Sequence, residues 1–591
     1  MANGMFIRHL GDRALLFAWN ERVVPKASMA SLAAQIRQWK VPWIGDVVPG
    51  YATIAVHCRG ASPAEEAAAA LAERIAACEG AELPEPRTLT VPVRYGGEDG
   101  PDLEACCARC GLTEEQFIER HSGTVYEVAM IGFAPGFPYL SGLDDALAQP
   151  RHETPRKRVP AGSVGIAGGQ TGIYPVASPG GWQIVGRTDE RLFRPGEEEP
   201  FALTPGDRVR FVPAAKLDAA DEPQSANARE QEAEGEGAAV LTVVSPGLLT
   251  TVQDLGRPGW QAWGVSVGGA MDSIALRTAN ILAGNGEEAA CLEMTLVGAA
   301  FRVERDTVLA VSGGLSAASI DGERLPAERP VWVRAGATIS FGSMSAGCRT
   351  YLAIAGGIDV PVVMGSRSTD VRARIGGVGG QPLERGTRLQ GGALSEQSHI
   401  LHQWLRNKSL REDRAWTTVP WSASTVRKGS FSEGNPGSAS AISLRVLRGA
   451  EWGRFAPESR ARLFEQPYRV DVSSDRMGIR LKGSPLRIEA AVELSSHGVA
   501  AGTIQVPPGG QPIILGAGCQ PTGGYPKLAH VIGSDLPLLG QAAPGALVRF
   551  VPTNREEAAK EARRADGELA ELKAGVLLKI RADMERISSA R

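Results

Sequence analysis

Long apolar runs are missing from this 591-residue chain. No stretch approaches the roughly 20 apolar residues of a membrane span, and the N-terminus lacks a basic-then-apolar signal pattern. The expectation is a cytoplasmic protein without a membrane partner. Net charge is only −3, so no field favours nucleic acid or an anionic membrane. Cysteines number eight. Cys106, Cys107 and Cys110 crowd one segment, but no second pair follows at zinc-finger spacing, and a helix bearing reduced thiols is the reading. His399 and His402 fall in a polar stretch, and no metal site is assigned. Also missing are a G-x-x-x-x-G-K-[ST] phosphate loop, a G-x-G-x-x-G between strand and helix, an H-E-x-x-H, and any local Ser–His–Asp or Cys–His signature. An ATP-using protein of this sequence does not hold it in the P-loop manner.

What is present is one pattern written twice. Val159-Pro160-Ala161-Gly162, Gln170-Thr171-Gly172-Ile173-Tyr174-Pro175, Ile184-Val185-Gly186 and a closing Pro205 to Pro213 run follow one another. Val506-Pro507-Pro508-Gly509, Gln520 to Pro526, Val531-Ile532-Gly533 and a closing Pro544 to Pro552 run repeat that order. The copies are too far apart for a solenoid of short repeats and argue for two lobes of one fold. With 71 glycines and 39 prolines, many short strands joined by sharp turns are expected, hence β-barrels with smaller α/β pieces attached.

The length calls for several domains. Residues 1–85 read as a small α/β lobe, with a capping box at Ser62-Pro63-Ala64-Glu65 opening a helix. Residues 87–213 form the first barrel candidate. Residues 214–239 have few large apolar groups and read as a linker between once-separate halves. The second half spans 240–552, with helices expected near Asp272–Ala283 and Asn285–Met294, and a surface insertion or loop at 391–441. Residues 553–591 read as a charged helix with an apolar stripe through Leu569, Leu572, Val576, Ile580, Met584 and Ile587. That stripe either docks on the chain itself or serves as a short oligomerisation helix.

Several constellations suit chemistry. Gly132 to Leu140 follows a strand and fixes Phe133, Pro135, Gly136, Phe137 and Tyr139 at set angles, as a pocket wall or as a buried turn. Arg151, Arg156, Lys157 and Arg158 lead into Ser163 and the Gln170-Thr171 turn; arginine's planar fork suits carboxylate or phosphate. Gln253, Asp254 and Arg257 share a glycine-bounded loop, and Asp475-Arg476 repeats the acid-plus-arginine theme; loop-pinning ion pairs are the plainer reading. Gln505, Gln520, Tyr525 and Lys527 offer amide, hydroxyl and ammonium groups without a strong base. Together such groups suit the holding and polarising of an amide or urea-like substrate.

At these motifs the chain resembles a known family. Residues 1–213, through Gly132 to Leu140, Pro155-Arg156, Val159 to Tyr174 and Ser178 to Trp182, resemble the B subunit of the bacterial 5-oxoprolinase, also described as the KipI family or allophanate hydrolase subunit 1. Residues 240–552, through Pro246 to Gly259, Gly268 to Asp272, Ser473 to Gly478 and Gly502 to Lys527, resemble its C subunit, the KipA family or allophanate hydrolase subunit 2. The resemblance implies two cyclophilin-like barrels, each with a smaller subdomain, as in the carboxyltransferase component of urea carboxylase. It implies Gln170, Thr171, Tyr174, Gln520, Tyr525 and Lys527 as catalytic candidates. Phe133, Pro135, Gly136, Phe137, Tyr139, Arg156, Arg158, Ser163, Gln253, Asp254, Arg257, Asp272, Asp475, Arg476 and Gln505 follow as binding candidates. It further implies ATP, a separate 5-oxoprolinase A component of LamB/YcsF type, and opening of 5-oxo-L-proline to glutamate. A carboxyltransferase using carboxybiotin from partners is an alternative, since no lysine here sits in a Met-Lys-Met context and biotin is not attached to this chain. A KipI/KipA-like regulator of a sensor histidine kinase is the third. The chain departs from the family at Gly518-Cys519-Gln520-Pro521-Thr522, where an Asp-Arg-Gln-Thr-Thr pattern is usual, and at Gly380-Gln381 and Gly386-Thr387.

Overall fold

The structure, a computed structural model, describes residues 5–19, 28–61, 63, 65–78, 86–215, 239–423, 441–489, 494 and 496–589. The repeated pattern becomes two closed barrels of the same topology. Around the first run Thr88–Tyr95, Gln183–Arg187, Ser163–Ala167, Gln170–Ile173, Pro138–Ser141, Val125–Ile131 and Arg208–Pro213. Around the second run Ile442–Arg448, Lys527–Val531, Thr503–Gln505, Ile513–Leu515, Gly478–Lys482, Tyr468–Val470 and Leu547–Pro552. Each closes by a parallel pairing of its first and last strands. Period-two alternation sets the faces: Val91, Val93, Val209 and Phe211 fill the first barrel, Leu444, Val446, Val548 and Phe550 the second.

The topology corrects the register of the repeat. Gln170 opens the hairpin strand whose counterpart is Ile513–Leu515, so its partner in the second barrel is Gln511, after Gly509-Gly510, rather than Gln520. Likewise Gly162 answers to Gly502. Both have positive φ, +80° and +89°, and both accept from the neighbouring strand, from Thr188 N–H at 2.9 Å and Val531 N–H at 2.8 Å. Thr522-Gly523 belongs to a two-stranded ribbon with His497-Gly498, matching the Arg156–Val159 and Ser178–Gly180 ribbon of the first barrel.

Between the barrels in sequence lies a branched eleven-stranded sheet, built on the long antiparallel strands Thr307–Ile320 and Thr338–Ile354. Helix Ser273–Ala283 packs on it, its N-terminus capped by Asp272, which accepts from Ala275 N–H at 3.0 Å. The helix expected over Asn285–Met294 does not form. Asn285 instead donates to the Ile354 carbonyl at 2.7 Å, and Cys291–Thr295 is a strand between Leu249–Gln253 and Thr338–Ile354. Its alternation sends Leu292 and Met294 to one core and Cys291 to another, which a helix could not do. The 391–441 segment also differs from a surface insertion. It carries helix Glu396–Glu412, whose Leu401, Trp404 and Leu405 are buried with Leu276 and Leu282, and a strand Trp416–Thr418. Residues 424–440, the linker at 216–238, and Ser62 and Ala64 of the capping box lie outside the described residues.

The C-terminal helix Arg555–Ser589 lays Leu569, Val576 and Ile580 into that same core, with Leu572 packed alongside. The side chains of Met584 and Ile587 lie outside the described residues. Among the described residues, no helix is long and apolar enough to cross a membrane.

The two halves interlock. The N-terminal sheet, Met5–His9, Ala14–Trp19, Thr53–Cys58 and Ile44–Pro49, buries one face against its own helices. Its other face, Leu10, Ala14, Leu16, Val48 and Ala55, packs on Ala500 of the second half. Asp12 accepts from Gly533 N–H at 3.0 Å, and Arg8 pairs with Glu451 at 3.2 Å. In return, the second half sends Trp260 to Gly264 against the first barrel. Gly136 N–H reaches the Trp263 carbonyl at 2.9 Å, and Gln261 N–H reaches Asp46 at 2.7 Å. Phe193 stacks on Phe201, which in turn stacks on Trp263 and lies tilted against Trp260. A chain cut at a protease site inserted between residues 216 and 238 is therefore expected to elute as one species in size-exclusion chromatography; separation into two fragments would refute the interlock.

Candidate functional site

On the strand Gln170–Ile173 side chains alternate between the inside and outside of the first barrel. Thr171 and Ile173 point in; Tyr174, just past the end, joins the outer face. There Phe137 stands edge-on to Tyr174 at 5.0 Å and to Trp182 at 5.4 Å, and Tyr139 lies 5.7 Å from Trp182. Such edge-to-face packing fixes ring orientation beyond what burial alone would do. The loop that carries the rings is tight: Gly132 N–H donates to the Phe137 carbonyl at 3.1 Å, and Phe137 N–H to the Ala134 carbonyl at 3.0 Å. Phe133 sits at φ +65°, a conformation that costs a bulky residue about 1–3 kcal/mol and that clusters at functional sites. It is held by its ring packing on Phe137 and by its N–H donating to Thr522 Oγ1 at 3.3 Å.

Thr522 brings the second barrel to this wall. Behind the ribbon of Thr522-Gly523 and His497-Gly498, Gln505 and Lys527 face outward from paired strands. Lys527 is fully buried. Its ammonium donates to the Gly523 carbonyl at 3.1 Å and lies 3.4 Å from His497 Nδ1, and its backbone N–H donates to Glu451 at 2.9 Å. Burial pushes the amine down to about 8, with the Glu451 charge working against the fall. Gln505 is 6% exposed, and its Nε2 has no hydrogen-bond partner among the described residues. Tyr525 is 48% exposed. A buried ammonium and an uncommitted amide donor behind a wall of fixed rings are equipped to stabilise negative charge growing on a carbonyl oxygen.

The structure brings together Phe133, Phe137, Tyr139, Tyr174 and, across the ribbon, Gln505 and Lys527. Pro135 and Gly136 shape the loop against Trp263. Other candidates sit elsewhere. Gln170 lies at the far hairpin end from Tyr174, about 13 Å along the strand. Thr171 bonds His121 at 3.0 Å inside the barrel, where burial lowers the imidazole to about 3. Ser163 is buried in its strand, and Arg158 is exposed. Arg156 is paired with Asp102 at 2.7 Å. Gln520 is half-buried in the turn before Thr522, and the unusual Cys519 packs with Val499 and Leu515.

The acid-plus-arginine loops of the second half tie backbone. Asp254 accepts from Gly256 N–H, Ser366 and Arg367 N–H at 2.6–2.7 Å. Arg257 is buried against the carbonyls of Val363 and Ser368. Asp475 accepts from Met477 and Gly478 N–H at 2.8 and 3.0 Å. Arg476 pairs with buried Glu293 and reaches Gln253 Oε1 at 3.3 Å. Asp272, besides capping its helix, accepts from Gln541 at 2.9 Å.

Sequence reasoning passed over Glu293, His497, Glu451 and Tyr51. Only a lone histidine between Ser496 and Gly498 signalled anything. Lys527 also generates a prediction. Its amine is lowered from the ordinary lysine value of 10.5 to about 8, so between those values the unfolded chain binds the proton more tightly. Stability should therefore rise as pH climbs from about 8 to 10.5, by at most about 3 kcal/mol. Lys527→Met should lack this rise in urea denaturation; parallel pH profiles for the two proteins would refute the buried ammonium.

Comparison with known proteins follows the same division. Residues 5–203 match the family model "Carboxyltransferase domain, subdomain C and D", and residues 263–552 match "Carboxyltransferase domain, subdomain A and B". The B subunit of 5-oxoprolinase from Escherichia coli O157:H7 is 47% identical over 31% of this chain and 87% of its own length. The C subunit of 5-oxoprolinase from Haemophilus influenzae is 35% identical over 53% of this chain and 91% of its own. The crystal structure of the protein TTHA0988 superposes with a TM-score of 0.73 at 32% identity, covering 92% of this chain and 100% of that one. With both barrels, both ribbons and both domain models accounted for, the chain belongs to the carboxyltransferase-domain family, as a fusion of halves similar to the B and C subunits of 5-oxoprolinase.

Proposed function

We propose that the chain is the fused B- and C-type component of an ATP-dependent 5-oxoprolinase, opening 5-oxo-L-proline to L-glutamate with a separate A component. The observation that carries this reading is the coverage of both named relatives, 87% of one and 91% of the other, by a single interlocked chain. The site chemistry agrees with it. A lactam resists opening because its nitrogen lone pair is delocalised into the carbonyl. Lys527 and Gln505 would hold the lactam oxygen as charge accumulates there, and the Phe133–Phe137–Tyr174 wall would keep water from the activated carbonyl. ATP, the co-substrate in this reading, would supply a phosphoryl group to that oxygen. One water then adds to the carbonyl carbon and the C–N bond breaks as the nitrogen takes up a proton, which leaves an acyl phosphate; a second water cleaves that, giving the free carboxylate and inorganic phosphate. The separate A component is assigned to the hydrolytic half.

The test is ADP and glutamate release from 5-oxo-L-proline and ATP by the purified chain with its cognate A component. Turnover should require both proteins, and Lys527→Gln should lower kcat about 100-fold or more. No turnover from the associated, folded proteins would sink the reading. Carboxyl transfer from carboxybiotin to urea or a related amide would then replace it, and inhibition of a sensor histidine kinase would point to regulation.

A further inference from the structure

The candidate site has a rim that the lactam chemistry above leaves unused. Strands Ile44–Pro49 and Thr53–Cys58 of the N-terminal lobe are joined through Gly50-Tyr51-Ala52. The tip of that turn reaches the first barrel, where the Tyr51 ring packs on the cluster containing Phe137, Tyr139 and Tyr174. Its hydroxyl is buried and has no hydrogen-bond partner among the described residues. Burying a hydroxyl without a partner costs about 1–3 kcal/mol, so an apolar ring would serve packing better. On the opposite side, the Tyr174 hydroxyl lies against Gly180 of the Ser178–Gly180 strand, so closely that a side chain at 180 would strike it. Ser178 of that strand also buries a hydroxyl with no partner among the described residues.

Two arginines act on the Tyr139 and Tyr174 phenols. Burial pushes the Tyr139 phenol up to about 12, and the charge of Arg151 and a hydrogen bond with Ser496 pull it back. Burial likewise raises Tyr174, against the Trp182 backbone and the charges of Arg151 and Arg156. All three phenols are thus protonated donors at neutral pH. Arg156 is already matched by Asp102 at 2.7 Å. Arg151 is exposed and makes no ion pair among the described residues.

We propose that Tyr51, Tyr139, Tyr174 and Arg151 frame an oxyanion-binding subsite, shared between the N-terminal lobe and the first barrel, that takes the carboxylate of the small substrate. Its identification with the carboxylate of 5-oxo-L-proline rests on the function proposed above. Phenol donors and a guanidinium match an acceptor-only ligand with several lone pairs. A cationic ligand would meet the wrong charge, and an apolar one would leave the Tyr51 hydroxyl unmatched. A nucleotide phosphate presents the same chemistry as a carboxylate, and the choice of probes separates them.

Isothermal titration of the full chain, alone and with its cognate A component, reads the subsite without turnover. The probes are 5-oxo-L-proline, 2-pyrrolidone (the same lactam without its carboxylate), glutarate and inorganic phosphate. The wild type should bind 5-oxo-L-proline about tenfold or more tightly than 2-pyrrolidone. Tyr51→Phe and Arg151→Gln, each checked for an unchanged thermal midpoint, should weaken 5-oxo-L-proline binding about tenfold and leave 2-pyrrolidone binding unchanged. Equal binding of the two lactams, or variants that bind 5-oxo-L-proline as the wild type does, would overturn the proposal. Glutarate binding that depends on Arg151, with neither lactam bound, would keep the carboxylate subsite and sink the oxoprolinase reading instead. Phosphate alone bound in an Arg151-dependent way would overturn the carboxylate assignment in favour of a nucleotide phosphate, and no binding of any oxyanion would overturn the subsite altogether.

Discussion

The backbone of the first barrel meets the second at Gly132, against Thr522, and much of the site depends on that approach. A side chain at 132 would collide with the Thr522 hydroxyl. Because residue 132 has none, the loop can come close enough for Phe133 N–H to bond Thr522. Phe133 is thereby kept at positive φ, and its ring completes the wall against Phe137 and Tyr174. The site is a junction on the outer faces of two barrels, while both barrel interiors are filled with side chains.

That junction needs the rest of the molecule to be stiff. Charge supplies part of the stiffness in the second half. Burial opposes ionisation of Glu293, yet Arg476 and Arg349 outweigh it and hold the carboxyl below the usual range, with Tyr351 donating at 2.6 Å. Arg476 belongs to the second barrel and Glu293 to the eleven-stranded sheet, so this node fixes one on the other. Removing one partner of such a buried pair costs about 3–5 kcal/mol, because the remaining charge stays unmatched. The C-terminal helix acts across the same units: Leu569 and Val576 lie in the sheet core, while Arg555 bonds His9 of the N-terminal lobe at 2.7 Å.

One scaffold used twice has been specialised differently on each copy. The strand Gln183–Arg187 of the first barrel and Lys527–Val531 of the second occupy equivalent positions. Outside the first, Trp182 and Ile184 continue an aromatic face; outside the second, Lys527 and Gln505 make a polar one. Face-to-face, the pair offers a dry wall and a set of charged and amide donors. Neither barrel has both, which gives a physical reason for two such domains to be kept together, here on one chain.

Much of this architecture could be read directly. Two Pro-Gly turns, each leading into a Val-Arg-Phe-Val-Pro strand, announced the two barrels, because alternation and turn chemistry are local. The aromatic loop and Lys527 were legible for the same reason: their residue types are unusual where they stand. The inner register was misread, since Gln520-Pro521-Thr522-Gly523 resembles Gln170-Thr171-Gly172 in composition while strand pairing equates Gln170 with Gln511. Asp254, Arg257, Asp475 and Arg476 have the side chains of catalysis, but their hydrogen bonds go to backbone, to serine hydroxyls, to Gln253 and to Glu293, and only packing could decide that. Sequence by itself determined the repeated strands and turns that close the two barrels, and the family. Tertiary structure decided the site, because Tyr51, Tyr174, His497 and Thr522 lie far apart along the chain and meet only where an N-terminal hairpin, two barrels and a ribbon exclude water together.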